Sequence, residues 1–192
     1  MSKRIALLSA AAFSALALTA TIVAPVSAQD KMKSEMSGEK TVMVGGAAMF
    51  PSKNIVQNAI HSKDHTTLVA AVKAAGLVDT LEGKGPFTVF APTNAAFAKL
   101  PAGTVDTLVK PENKATLTKI LTYHVVPGKL EASDLTDGKT LKTVEGEELT
   151  VKRSGDTVMI IDSKGGSSTV TIPNVNQSNG VIHVVDAVLM PS

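Results

Sequence analysis

The chain has 192 residues, of which 19 are basic and 17 acidic, and it contains neither cysteine nor tryptophan. Two of the 19 basic residues, Lys3 and Arg4, fall in a predicted leader, which leaves 17 basic against 17 acidic residues. This neutral balance excludes the strong field expected of a nucleic-acid-binding protein. The lack of cysteine excludes disulfides and attachment through a lipidated cysteine, so burial of apolar surface must stabilise the fold.

Residues 1–28 have the pattern of a secretory signal peptide. A short basic start precedes a long apolar run, which ends in Val26-Ser27-Ala28. Small residues at such a position favour cleavage after Ala28 and export to the periplasm, the cell surface or the medium. The alternative is an uncleaved N-terminal membrane anchor, because the apolar run is long enough for one.

Residues 29–49 are predicted to form a flexible linker, because they are polar, contain glycine and show no clear period. Four of the seven methionines lie here: Met32, Met36, Met43 and Met49. Methionine thioethers can bind soft copper ions. The simpler interpretation is a composition without function, so we predict no metal site and no cofactor.

Residues 50–192 are predicted to form one domain that begins with helices. Pro51-Ser52 is a candidate start for the first helix, and Leu68, Val69 and Val72 recur at helical spacing in the second. Gly76 followed by an apolar residue predicts a left-handed end to that second helix. A third helix is expected to begin at Pro111.

The second half of the domain has the pattern of strands. The segments are short, rich in Val, Thr and Ile, and separated by Gly, Asp, Asn and Ser. They read "KTLKTVEG", "EELTVKRS", "DTVMIID", "STVTIPNV" and "GVIHVVDAVLM". A hairpin is expected around Ser154-Gly155-Asp156. Helices followed by strands predict an α+β domain with a largely antiparallel sheet.

The stretch "GPFTVFAPTNAAFAKLPAG" predicts a strand, a break and a helix. Pro92 should end the strand because it lacks an N–H, and Thr93 or Asn94 can cap the helix that follows. The stretch contains no serine, and the chain has no Gly-rich phosphate-binding motif. We therefore interpret this junction as a structural connection and predict that the protein is not an enzyme.

The histidines do not form a recognisable metal or catalytic pattern. His61 and His65 are four apart, but Ser62-Lys63-Asp64 predicts a break between two helices, which makes their spacing accidental. His183 lies in an apolar strand and is expected to be a hydrogen-bonded core or edge residue. Asp186, three residues later, should lie on the opposite face and form no dyad with it.

Tyr123 and His124 form the most informative pair. They end a predicted helix and begin the short extended run "YHVVPGKL". Neighbouring side chains on a strand point to opposite faces, so one side chain would be buried and the other available. The pair could therefore contact a partner. We favour the structural alternative, in which the two residues pack and His124 is hydrogen-bonded inside the domain.

Three ordered segments resemble the signature blocks of a fasciclin domain: "GPFTVFAPTNAAFAKLPAG", "LTKILTYHVVPGKL" and "GVIHVVDAVLMP". The similarity runs from about Phe50 to Pro191, as in small secreted bacterial single-domain fasciclin proteins. It implies a wedge of mostly antiparallel strands with several helices along one side. It also implies a non-enzymatic role in adhesion or surface association, with proteins or polysaccharides as partners. In animal relatives the tyrosine-histidine block is a proposed contact with integrins, and by position this block falls on Tyr123 and His124.

One position departs from the pattern of the resembled family. Asn94 stands where an acidic residue often follows "APT". We hypothesise that Thr93, Asn94 and His124 belong to one interior hydrogen-bond network that links the helix start to the central strand. The alternative function is that of a periplasmic protein that binds a small molecule or metal in a stress or nutrient response.

Overall fold

The structure, a computed structural model, describes residues 40–192; the predicted signal peptide and residues 29–39 of the predicted linker lie outside that range. The described chain forms a two-stranded hairpin, a seven-stranded sheet and short helices. The strands are β1 (Val42–Val44), β2 (Ala47–Met49), β3 (Phe87–Pro92), β4 (Val125–Pro127), β5 (Thr140–Lys142), β6 (Glu148–Ser154), β7 (Thr157–Ile161), β8 (Ser167–Gln177) and β9 (Gly180–Val185). The α-helices are α1 (Ile55–Ala59), α2 (Thr66–Ala75), α3 (Val78–Glu82), α4 (Asn94–Ala98), α5 (Thr104–Leu108) and α6 (Lys114–Tyr123).

The large sheet has the strand order β4-β3-β9-β8-β7-β6-β5. Its pairs are antiparallel except for β3 and β9, which run parallel side by side. The N–H of Val144, just after β5, donates to the carbonyl oxygen of Val125 in β4 at 2.8 Å. The two edges of the sheet therefore approach each other, and the sheet is close to a closed barrel. This confirms the predicted α+β class with a mostly antiparallel sheet.

Two helix ends show how far local signals decide the structure. Helix α2 ends at Gly76, which has φ 73°, and the N–H of Leu77 donates to the carbonyl of Val72 at 3.0 Å. This is the predicted left-handed end. The predicted start at Pro51-Ser52 is wrong, because Asn54 caps α1 in a reciprocal pair with Gln57. Within residues 40–192, no helix has the length and apolar character that crossing a membrane requires.

The predicted linker boundary at residue 49 is also wrong. Residues 42–49 form the β1–β2 hairpin, and Val44 and Met49 in it are each only 3% exposed. Gly45 at its turn accepts a hydrogen bond from the N–H of Lys63 at 3.1 Å. Burial of two large apolar side chains makes the hairpin part of the domain. Met49 is thus unavailable to copper, whereas Met43 is 59% exposed.

The β6–β7 turn confirms the predicted hairpin. Ser154 pairs with Thr157, which leaves the two-residue turn Gly155-Asp156. Gly155 has φ 59°, a conformation that favours glycine. Tight closure at this point fixes the register of β6 and β7, so that alternate side chains face the interior and the solvent.

The core of residues 40–192 consists of two clusters, one on each side of β3 and β9. The helix-side cluster lies between the helices and the sheet and includes Ile55, Leu68, Val72, Leu81, Val89 and Ile182. The barrel-side cluster lies inside the curved sheet and includes Phe90, Tyr123, Leu135, Leu149, Ile160 and Leu189. Residues of the "TYHVV" segment contribute to both clusters, which places the candidate site residues at the centre of the fold.

Candidate functional site

The junction after β3 connects two helices. Thr93 Oγ1 accepts from the N–H of Ala96 at 3.2 Å, as expected of a helix cap. Asn94 Oδ1 accepts from the N–H of Thr67 at 3.0 Å, and its Nδ2 donates to the carbonyl of Lys63 at 2.8 Å. Asn94 therefore ties the start of α4 to the start of α2. An amide suits this position because it donates and accepts at once, which a carboxylate does not.

His124 caps the end of α6 and reaches the far end of the chain. Its Nδ1 lies 2.8 Å from the carbonyl of Ile120, and its Nε2 lies 2.9 Å from the N–H of Leu189. The first contact requires a proton on Nδ1 and the second requires a lone pair on Nε2, so the ring is neutral with a defined tautomer.

The predicted network of Thr93, Asn94 and His124 is wrong. Among the hydrogen bonds of residues 40–192, none joins His124 to either of the other two side chains. Asn94 bonds the α2 start, whereas His124 bonds Ile120 and Leu189. The capping role given to Thr93 is confirmed. The sequence motifs that contain Thr93, Asn94 and His124 do not show which backbone groups each side chain can reach in the folded chain.

Burial dominates the titration of His124. Desolvation of the cation lowers the pKa of His124 to about 4, while the Ile120 carbonyl and the Asp162 carboxylate oppose this shift. The ring is therefore neutral at physiological pH. Because both ring nitrogens are already hydrogen-bonded, His124 holds structure and is not placed to transfer a proton to a ligand.

Asp162 also holds the closing segment, residues 189–190, next to the contact made by His124. The sequence analysis did not identify this residue. Its Oδ2 accepts from the N–H of Met190 at 3.1 Å, next to the N–H that His124 accepts from. Its Oδ1 accepts from the N–H groups of Lys164 and Gly166, within the turn after β7. An Asp before a Gly-containing turn is a local sequence signal for the contacts within that turn. It does not indicate the contact with the N–H of Met190, which lies 28 residues away.

Tyr123 lies in the barrel-side cluster and is 0% exposed, and His124 is 2% exposed. The Tyr123 hydroxyl accepts from the N–H of Ser163 at 2.9 Å and is 3.2 Å from the carbonyl of Glu148, to which it donates. The pair thus lies wholly inside the domain. This burial argues against the partner contact considered for Tyr123 and His124, because neither side chain presents a surface. It agrees with the favoured structural alternative, in which the two residues pack and His124 is hydrogen-bonded inside the domain.

His183 is also committed to structure. Its Nε2 lies 2.8 Å from the carbonyl of Leu130, and its Nδ1 accepts from the N–H of Asn174 at 3.4 Å. Burial lowers the pKa of His183, so the ring is neutral. Asp186 instead accepts from the N–H of Thr169 at 2.8 Å. The expected absence of a His183–Asp186 dyad agrees with this geometry.

His61 and His65 lie in different surroundings. His61 is exposed beyond the end of α1, whereas His65 is 3% exposed and its Nδ1 lies 2.9 Å from Ser62 Oγ. Burial lowers the pKa of His65, and the Ala91 carbonyl and Asp64 oppose that shift. Within residues 40–192, no group of three or more His, Asp or Glu side chains is arranged to hold a metal ion.

Two buried asparagines that the sequence analysis missed attach the helices to the sheet. Asn179 Oδ1 accepts from the N–H of Ile55 at 3.1 Å, and its Nδ2 donates to the carbonyl of Leu81 at 2.7 Å. Asn58 donates to Gln177 and to the Phe50 carbonyl. These contacts connect α1 and α3 with the β8–β9 turn. Asn179 lies in a turn and Asn58 lies within α1, and neither position carries a sequence signal for such distant contacts.

The helix-side cluster borders a partly open pocket of about 80 Å³. Its walls come from α1, α2 and α3 on one side and from β3 and β9 on the other. Most of the lining side chains are aliphatic; His65 and His124 also contribute. The geometry thus defines an α+β wedge with an apolar pocket on its helix side, in which His124 and His183 are buried, neutral and hydrogen-bonded to backbone groups.

The fold and this interior define the class of protein. The family model described as Fasciclin domain matches residues 63–191, and the chain belongs to that family. The solved FAS1 domain pair of the insect cell adhesion molecule Fasciclin I superposes with a TM-score of 0.65 and 20% identity. The match covers 73% of this chain and 52% of that chain, so this chain spans about half of the insect pair. At this identity the likeness shows the fold.

Bacterial relatives are closer in sequence. Protein sll1483 of Synechocystis is 50% identical over 153 residues, which cover 80% of this chain and 82% of the relative. The immunogenic protein MPB70 of Mycobacterium bovis is 40% identical over 138 residues, covering 69% of this chain and 66% of the relative. The cell surface glycolipoprotein MPB83 of the same species is 45% identical over 153 residues, covering 77% and 64% respectively.

Proposed function

We propose that this protein is an exported, non-enzymatic module that associates with proteins or polysaccharides at the cell surface through its exterior. One observation carries this proposal. The side chains most suited to chemistry or contact, Tyr123, His124 and His183, are buried and hydrogen-bonded to backbone groups. What remains for recognition is the outside of the domain.

The outward face of the β5–β8 sheet is the surface best suited to this role. Outward side chains align in rows across the strands: Thr140, Thr150 and Ile161 are in register, as are Lys152, Met159 and Thr169. We call this set of six residues the outer β-face. Hydroxyl, aliphatic and ammonium groups together can satisfy polar and apolar parts of a partner.

The names of the relatives support the location. MPB83 is described as a cell surface glycolipoprotein, and the insect neighbour is described as a cell adhesion molecule. The apolar segment before Ala28 supports export of this chain as well. A single module of this kind is expected to bind modestly, so that many copies at a surface act together.

Binding of the purified chain to envelope fragments of its native cell tests the proposal. The substitution pair Thr150→Glu with Lys152→Glu adds charge to the outer β-face, and we expect at least tenfold weaker binding. The matched control pair, Thr116→Glu with Lys114→Glu, places the same changes on exposed positions of α6. Treating the fragments with protease or with glycosidases separates protein partners from polysaccharide partners.

Two results would overturn the proposal at different levels. Equal binding by the outer β-face pair and the α6 pair would move the contact to another surface. Absence of saturable binding by the unaltered chain to untreated fragments would remove surface association itself. Circular dichroism of each variant establishes that the loss is not one of folding.

A further inference from the structure

The helix-side pocket, the partly open space that the helix-side cluster borders, has apolar inner walls. Leu81, Val89 and Ile182 line it and are buried. These side chains offer a ligand no hydrogen-bonding group. They favour alkyl groups instead, since each CH₂ removed from water raises affinity by about fourfold. The pocket therefore suits the alkyl part of a ligand.

The mouth of the pocket is apolar as well. Val144 lines the pocket and is 45% exposed, and Leu77 and Phe87 line it and are half-buried. An apolar cavity of about 150 Å³ holds benzene, so the 80 Å³ of this pocket holds roughly three to five carbon atoms. A longer alkyl chain would continue from the pocket along these three side chains toward the solvent.

Positive charge lies beside this mouth. Lys73 is the one Lys, Arg, Asp or Glu residue among those that line the pocket, and it is exposed. Lys114 approaches from α6, and its Nζ would lie 3.3 Å from a Cβ added at Gly76. Gly76 is one helical turn beyond Lys73 and directly precedes Leu77, so both lysines lie at the C-terminal end of α2. Neither ammonium group has an ion-pair partner among residues 40–192.

The neighbouring carboxylates leave this charge in place. Glu145, close to the mouth in the chain, pairs with Lys119 at 3.7 Å. Asp79 and Glu82 lie on α3 but are not among the residues that line the pocket. The mouth should therefore favour an anionic group over a cationic one.

We propose that the helix-side pocket binds the alkyl end of a straight-chain carboxylate of the fatty-acid type, whose carboxylate lies outside the mouth beside Lys73 and Lys114. In this arrangement the carboxylate keeps its contact with water and avoids the cost of desolvation. Exposed ion pairs with the two lysines add modestly to affinity. This site is separate from the outer β-face and does not depend on the proposed surface association.

Three probes with the same chain separate the contributions of tail and head group. Octanoate, 1-octanol and octylammonium have an anionic, a neutral and a cationic head. The purified full chain is titrated with each probe, and NMR follows the methyl groups of Leu81 and Val89 in the pocket and those of Leu149 and Ile160 in the barrel-side cluster. We expect octanoate to shift the pocket methyl signals saturably and to leave the barrel-side signals in place. 1-Octanol should bind about threefold to tenfold more weakly, and octylammonium more weakly still.

Chain length tests the apolar contact by itself. Butanoate has the same head group as octanoate but a shorter chain. We expect it to bind at least about tenfold more weakly, because less of its alkyl chain leaves water.

Two sets of variants assign the site. Lys73→Gln with Lys114→Gln should weaken octanoate binding about threefold to tenfold and change 1-octanol binding by less than about twofold. The matched control pair, Lys142→Gln with Lys164→Gln, removes the same charge from exposed positions that do not line the pocket, and it should keep octanoate affinity within about twofold. Val72→Ile adds a methylene to the pocket wall and should weaken binding of octanoate and 1-octanol alike.

Several outcomes would overturn the proposal. These are pocket methyl signals unmoved by octanoate, equal shifts of the barrel-side signals, butanoate binding as tightly as octanoate, or octylammonium binding as tightly as octanoate. Undiminished octanoate binding by the folded Lys73 and Lys114 pair would remove the head-group contact. Undiminished binding by folded Val72→Ile would place the alkyl chain elsewhere, and the methyl signals of the unaltered chain decide its location even if that variant does not fold.

Discussion

The backbone N–H of Leu189 donates a hydrogen bond to Nε2 of His124 at 2.9 Å, although the two residues are 65 positions apart. On its other side the same ring bonds the carbonyl of Ile120 in α6. One neutral imidazole thus joins the central helix to the closing segment of the chain. This relationship explains a histidine at this position without any role in contacting a partner.

His124→Ala is expected to destabilise the domain by about 2–4 kcal/mol, because it leaves two buried backbone groups unpaired and opens space in the core. Urea unfolding followed by circular dichroism measures the change. His61→Ala is the matched control, since His61 is exposed, and it should stay within about 0.5 kcal/mol of the unaltered chain. Equal midpoints for the two variants would contradict the structural role of His124.

Stability should fall as pH drops from about 7 to about 4. His124 has a folded-state pKa of about 4 against an ordinary value of 6.5, so the unfolded chain binds more protons in this window. The shift corresponds to a loss of about 3 kcal/mol at most. His65 and His183 have pKa values lowered in the same direction and add to the slope. Urea midpoints at several pH values measure it, and His124→Gln should flatten the curve.

A carboxylate acts in a more acidic window. The N–H of Ser192 and the hydroxyl of Ser163 lower the pKa of Glu147 from 4.5 to about 2. A carboxylate whose folded-state pKa is lowered stabilises the fold above its ordinary pKa, and this stabilisation is lost as the pH falls through the folded-state pKa.

The His124→Gln variant also gives the result that would contradict the histidine prediction. If its stability fell between pH 7 and pH 4 as steeply as that of the unaltered chain, His124 would not be the source of the pH dependence.

Asn94 and His124 should contribute to stability independently. Their hydrogen bonds go to different parts of the backbone, to the α2 start and to the closing segment respectively. A double-mutant cycle of Asn94→Ala and His124→Ala is therefore expected to give a coupling energy below about 0.5 kcal/mol. A coupling above about 1 kcal/mol would restore the shared network that the sequence suggested.

The β1–β2 hairpin should be part of the folding unit. Met49→Ala removes a buried side chain and is expected to cost about 2–5 kcal/mol. Met43→Ala, in the exposed position on the partner strand, is the control and should cost little. If both variants unfolded at the same urea concentration as the unaltered chain, residues 42–49 would be a linker after all.

Much of the fold could be predicted because its signals are local. Gly76 ends α2, Pro92 ends β3 and Gly155 turns the β6–β7 hairpin, each through the restricted or permitted dihedral angles of one residue. The strand-rich second half followed from composition and alternation. The family resemblance added the order in which these pieces are arranged.

The candidate site could not be predicted in the same way, because its partners are distant in sequence. No local pattern shows that Asn179 bonds Ile55 or that His124 reaches Leu189. The β1–β2 hairpin was not predicted, because two three-residue strands have too few positions to show an alternating pattern. The expectation that Tyr123 and His124 point to opposite faces was wrong, because Tyr123 ends a helix, where neighbouring side chains do not alternate as they do on a strand.

We propose that the buried side chains of this domain stabilise the fold and that its outer β-face binds the partner. The most direct test is the affinity of the full chain for native envelope fragments, measured for Tyr123→Phe, which changes the interior, and for Thr150→Glu with Lys152→Glu. We predict that Tyr123→Phe lowers the urea midpoint but retains affinity, while the outer β-face pair loses at least tenfold. Loss of affinity in folded Tyr123→Phe, with unchanged affinity in the outer β-face pair, would contradict the account.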